Sequence, residues 1–208
     1  MLVVLAFGSV AWWWKGSEQP ISHPPGVLVP HEPIQGEQIE NPASIPLGEW
    51  TLTPLASYRI DARVLSKKRY RYDATAEISP YDLLLGWGPM SDSAVLQSLQ
   101  LSQDSRYGRW RWEREPPLPH SEINRNAANN HLIPANKAVL DRIAATRPGS
   151  LVRIEGELVE ARNRRGGKPW RSSLSRTDEG FGACEIIYVR SIREIPPAHP
   201  AIALAGNR

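Results

Sequence analysis

His131 is the residue whose chemistry comes first to attention. It lies in the phrase Asn129-Asn130-His131-Leu132-Ile133-Pro134-Ala135, and an imidazole can act as a general base near neutral pH. Asp92 is the carboxylate that would orient it. Ser172, Ser173 or Cys184 would be the nucleophile it activates. The usual companions of such a set are missing: the sequence has no Gly-x-Ser-x-Gly elbow and no cysteine-protease signature. A histidine beside two asparagines serves equally as a hydrogen-bonded structural residue. Cys184 opens an apolar run and reads as an inert core thiol. The expectation is a protein without chemistry of its own, with His131, Asp92 and Ser172 as the catalytic candidates if it has any.

Metal and cofactor chemistry finds less support. The five histidines stand at positions 23, 31, 120, 131 and 199, with no pair three or four residues apart. Neither His-Glu-x-x-His nor Cys-x-x-Cys occurs. A single cysteine excludes an internal disulfide framework and an all-cysteine metal site. No metal and no cofactor is expected.

Charge offers more. Between residues 161 and 177 there are six basic residues (Arg162, Arg164, Arg165, Lys168, Arg171, Arg176) and no acid. Asn163-Arg164-Arg165-Gly166-Gly167 has the composition of a hairpin tip. Cations interleave with rings in Lys67-Lys68-Arg69-Tyr70-Arg71-Tyr72 and from Arg106 to Trp112, a pattern that suits single-stranded nucleic acid. Anionic headgroups or an acidic protein would suit the same surface. Strand alternation argues the other way for one segment: it puts Trp110 and Trp112 on the face opposite Arg109 and Arg111. The formal net charge is only +3. The binding candidates are Arg164, Arg165, Lys168 and Arg171, together with Asn130, His131 and Trp87. Trp87 sits in Gly86-Trp87-Gly88-Pro89 and could present a ring to a partner or plug the end of the fold.

The elements that must position these groups are legible in part. Apolar residues alternate with charged ones from Tyr58 to Val64, and again from residue 151 to 160, as in half-buried strands. Gly156 inside the second run predicts a bulge or bend. Ser79-Pro80-Tyr81-Asp82 predicts a helix start, and a second short helix follows Asp92 as far as Gln100. Asn136 caps a further helix with the stripe Val139, Leu140, Ile143 and Ala144, ended by Pro148-Gly149. A return strand lies near 170–174. A last strand, from 184 to 192, is apolar on both sides and therefore central. The fold expected is α+β: a small mixed or antiparallel β-barrel, matching the OB type in part, with a helical insert at 79–100 and one capping helix.

The 208 residues, with a mean hydropathy of −0.40, suffice for one ordinary domain with accessory segments. Residues 1–14 carry no charged side chain and end in Trp12-Trp13-Trp14. As a helix they span about 21 Å, short of the roughly 30 Å hydrocarbon core, with an aromatic anchor at one end. The expected organisation is an N-terminal transmembrane or interfacial anchor at 1–16, a proline-rich spacer at 17–46, a globular β-rich domain at 47–195 and a loose tail at 196–208. Seven of the nineteen prolines fall between residues 18 and 46. That segment reads equally as an extended spacer or as a strap docked through Val27, Leu28 and Val29.

Three phrases, Ser79 to Asp92, Asn129 to Ala135, and Trp170 to Arg176 continuing to Cys184-Glu185, resemble a family of uncharacterised bacterial proteins that begin with a hydrophobic segment. The resemblance covers most of the chain from the spacer onward and implies a bacterial, membrane-associated protein with no assigned activity. The function expected is a membrane-anchored, non-catalytic binding module of the bacterial cell envelope. It would be single-pass in the inner membrane, its domain periplasmic, with the lipid bilayer at residues 1–14 and an envelope protein as partners. The alternatives are an OB-like nucleic-acid-binding or nuclease-like protein and a His131-dependent hydrolase.

Overall fold

A computed structural model describes residues 19–175 and 184–198. Its backbone is organised by one long strand, β3 (Trp50–Arg69), of twenty residues. Strand β3 is antiparallel to β4 (Tyr81–Gly86) on one side and to β8 (Leu151–Asn163) on the other. The ladder continues from β4 to β7 (Ala127–Pro134), then in parallel to β10 (Glu185–Glu194), and antiparallel from β10 to β8. Short strands β1 (Ile34–Gln38) and β2 (Ile45–Leu47) pair with β3, and β9 (Trp170–Arg171) pairs with β8. A separate hairpin is made by β5 (Gln100–Asp104) and β6 (Tyr107–Arg111). Three short helices, α1 (Ser93–Leu96), α2 (His120–Arg125) and α3 (Lys137–Ala145), complete an α+β fold that is mostly sheet.

Alternation explains the core. Along β8, Val152, Ile154 and Leu158 join a large cluster with Tyr58, Ile60, Ala62 and Val64 of β3. Val159 and Ala161 join a second cluster with Trp50 and Leu52. The even-numbered residues of β3 thus change face along one strand. The switch falls at Leu55, where two steps on β3 (Pro54 to Ala56) oppose one on β8 (Val159 to Leu158). An extra residue in a ladder inverts every side chain beyond it. A third cluster, around Met90, Leu99 and Ile123, takes in Trp110 and Trp112 beneath the β5–β6 hairpin, while Arg109 and Arg111 stay exposed.

Helix α3 forms as its local sequence dictates. The Asn136 side chain accepts from Val139 N at 3.0 Å, and Val139 and Ile143 are its buried stripe. The helix expected at Ser79 is instead strand β4. Both of its edges are paired, to β3 and to β7, and both of its faces are covered, since the alternating residues Leu83, Leu84 and Leu85 are all fully buried. Two ladders outweigh a local serine–proline start signal. The helix expected from Asp92 to Gln100 stops at Leu96, and β5 begins at Gln100.

Residues of the proline-rich segment join the fold. Leu28 and Val29 are buried in the large cluster, and their backbone N–H groups both donate to Ser91 Oγ at 3.1 Å. Gly26 N donates to Asp92 Oδ1 at 2.8 Å, and Ile21 N donates to the Pro148 carbonyl at 2.8 Å.

The expectation of a single-pass inner-membrane protein with a transmembrane helix or signal anchor, and with it a periplasmic domain, is corrected. Among the described residues no helix is long and apolar enough to cross a membrane. The longest has nine residues, where a span needs about 20. Residues 1–16, on which that expectation was placed, lie outside the described residues.

Candidate functional site

The first candidate site is a buried polar cluster built on β4 and β7. Asp82 and His131 are opposite each other in the ladder, and both side chains are buried. Asp82 Oδ2 lies 3.0 Å from His131 Nδ1, a close contact whose angle falls short of a hydrogen bond. Asn129 Nδ2 donates to the same oxygen at 3.2 Å. The other oxygen, Oδ1, accepts from Arg106 Nη1 at 2.7 Å. Arg106 comes from the tight β5–β6 turn, where it adopts φ +70°. It also donates to the Ser79 carbonyl at 2.9 Å, forks onto Asp73 at 2.8 and 3.0 Å, and stacks 3.9 Å from the Tyr70 ring centroid. A charge at a fully buried position needs such partners, because leaving water costs several kcal/mol per ion.

Titration follows from these contacts. Asp73 is held below the ordinary carboxylate range: burial works against ionisation, and hydrogen bonds from Arg106 and Thr75 outweigh it. Burial raises the Tyr70 phenol. Burial, helped by the nearby charges of Asp82 and Glu185, pushes the Cys184 thiol up to about 12.

The catalytic candidates are not assembled. The carboxylate beside His131 is Asp82, whereas Asp92 caps α1 and accepts from Ala94 N and Gly26 N, each at 2.8 Å. Ser172 Oγ donates to Glu185 Oε2 at 2.9 Å and accepts from Ile186 N at 3.0 Å. A thiol shifted this far upward is the opposite of an activated nucleophile. Among the described residues no group of three or more metal-ligating side chains is brought together. Asn130 is fully buried and donates to the Ala128 carbonyl at 2.8 Å. Trp87, only 3% exposed, is part of the large core cluster.

The second candidate site assembles three of the basic residues that the sequence singled out. A groove of about 750 Å³ lies between the β3–β4 connection, at Ala74 and Thr75, and the turn joining β8 to β9. Arg165, Lys168 and Arg171 line it together with Trp50 and Trp170, and its lining includes no carboxylate. Arg171 pairs with Glu160 at 3.0 Å, and Arg165 stands 3.4 Å from Glu49. Arg164 is on the same turn but bonds to the Gly48 carbonyl. Trp170 links the two sites, with its ring centroid 4.9 Å from that of His131 and 5.9 Å from the Arg106 guanidinium.

Sequence reasoning missed Asp82, Arg106, Trp50 and Trp170. For Asp82 a signal was present: one acid in the run Tyr81-Asp82-Leu83-Leu84-Leu85 must find a partner if the run is buried. No family model, curated protein or solved structure is significantly similar to the chain.

Proposed function

We propose that the domain is a non-catalytic binding module that holds an extended anionic partner in the groove between the β3–β4 connection and the β8–β9 turn. The observation that carries this reading is the groove's lining: three cations, two tryptophans and no carboxylate. A concave, one-signed wall focuses the field on an oppositely charged ligand.

The strand pairings support an OB-like barrel as the framework. They run β3, β4, β7, β10, β8 and back to β3, parallel only between β7 and β10, with α3 between β7 and β8, the third and fourth of these five strands in chain order. In this arrangement the β3–β4 connection and the β8–β10 connection are the loops that such barrels use for oligomeric ligands. An acidic protein remains a partner of the right charge for the same surface.

The test is binding of heparin, as a generic polyanion, to the full chain at increasing salt. The expected result is an affinity that falls steadily with salt and is lost when Arg165, Lys168 and Arg171 are all replaced by alanine, with the circular dichroism spectrum retained. Binding unaffected by those replacements rejects the reading.

A further inference from the structure

We propose that the occupant of this groove is single-stranded nucleic acid, with phosphates on Arg165, Lys168 and Arg171 and bases stacked on Tyr72 and Trp170. This rests on the reading of the groove as an anion-binding site and adds the class of ligand.

Tyr72 is 94% exposed, the one large aromatic among the described residues left open to solvent. It stands on the β3–β4 connection two positions before Ala74, which lines the groove. A ring that packs against nothing contributes nothing to the core, yet it offers both faces to a partner. Trp170 is half-buried and forms part of the groove wall. Rings placed beside cations suit a ligand that carries flat faces and negative charge in alternation along a chain. An acidic peptide satisfies the cations and leaves the rings unused. A duplex has its base faces occupied by its own stacking, so only unpaired bases reach Tyr72.

The remaining features fit a backbone running along the groove. Lys168 makes no ion pair or hydrogen bond with another described residue. The Arg165–Glu49 contact is long at 3.4 Å, with side chains 78% and 48% exposed, so both partners exchange readily with other ions. Gly166 and Gly167 adopt φ +101° and +105°, and a Cβ at either would meet no heavy atom within 4 Å. The backbone there is open to the close approach of a phosphate.

The experiment measures binding of the full chain to four labelled probes: oligo-dT of about 16 nucleotides, a duplex of equal length, heparin and polyglutamate. Oligo-dT is expected to bind most tightly, with a log–log salt slope of about −2 for three phosphate contacts. Tyr72→Ala is expected to weaken oligo-dT by roughly tenfold, within the range seen for loss of one stacked base. It should leave heparin unchanged, and Tyr72→Phe should restore oligo-dT binding. Tyr72 is the variant of choice because its exposure removes any folding penalty, whereas Trp170 packs against His131. Oligo-dT bound no better than duplex or polyglutamate, or indifferent to Tyr72→Ala, overturns the ligand class while heparin binding sustains the anion site. Failure of all four probes overturns both.

Discussion

Asp82 and His131 face each other across the β4–β7 ladder, 3.0 Å from carboxylate oxygen to ring nitrogen, and Arg106 grips the other carboxylate oxygen at 2.7 Å. The contact joins three separate elements. Arg106 brings the β5–β6 hairpin down onto the sheet, Asp73 holds the β3–β4 connection to the same guanidinium, and Trp170 of the groove wall rests on the His131 ring. The buried cluster thus adjoins the groove through Trp170, which belongs to the groove's wall and lies against the His131 ring.

Removing Asp82 takes one of two carboxylate partners from the Arg106 guanidinium, which is only 14% exposed and keeps Asp73. Losing a buried hydrogen-bond partner costs about 1–3 kcal/mol when a second carboxylate still compensates the charge, so Asp82→Ala should lower the urea midpoint accordingly. In a double-mutant cycle with Arg106→Ala the two losses should not add, with a coupling of about 1–3 kcal/mol. Additive losses would show that the pair is incidental.

Acid should weaken a second pair in a predictable window. Asp61 and Arg153 are opposite each other in the β3–β8 ladder and form two bonds of 2.6 Å. The hydrogen bond from Arg153 holds the Asp61 carboxyl below its ordinary 3.8. As pH falls, the unfolded chain therefore binds this proton first. The pair's contribution is complete above about pH 5 and disappears as pH drops through the folded value. Asp61→Asn should cost about 1 kcal/mol at neutral pH and flatten the acid limb of stability against pH. An unchanged acid limb rejects the assignment.

Cys184 should resist alkylation. With its thiol pushed up to about 12, almost none is thiolate at pH 8. Modification by iodoacetamide should run at least about a hundredfold slower than for free cysteine and recover on denaturation. Because the unfolded thiol ionises near its ordinary 9.0 and the folded one does not, this group's contribution to stability falls as pH rises between those two values. Rapid labelling of the native chain at pH 8 contradicts this placement.

Gly156 should not tolerate a side chain. A Cβ there runs into the Tyr188 carbonyl oxygen and approaches Arg190 N at 3.2 Å. Gly156 is paired with both Tyr58 and Val189, and Arg190 is the extra residue of a bulge on β10. Both neighbours are backbone held in ladders, so neither can move aside. Gly156→Ala should cost about 1–3 kcal/mol as an overpacking change, read as a lowered melting temperature. A variant as stable as the parent would mean that the two ladders can part to admit a methyl group.

The sequence by itself determined the features that depend on neighbours along the chain. The Asn136 cap, the alternation in β3 and β8, the turn at Asn163-Arg164-Arg165-Gly166-Gly167 and the concentration of cations beside it all follow from local spacing and turn chemistry. The structure alone decided which distant residues meet. Whether Ser79-Pro80-Tyr81-Asp82 began a helix or a strand turned on the two ladders that enclose it. Asp82 meets His131 because the β4–β7 register sets them opposite each other, while the fold of the β5–β6 turn brings Arg106 to Asp82 and that of the β3–β4 connection brings Thr75 to one groove with Trp50 and Trp170. Register is set by the burial of all the paired strands at once. No local window contains that sum, so the groove's basic residues were legible in the sequence while its tryptophan wall and the buried ionic cluster beside it were not.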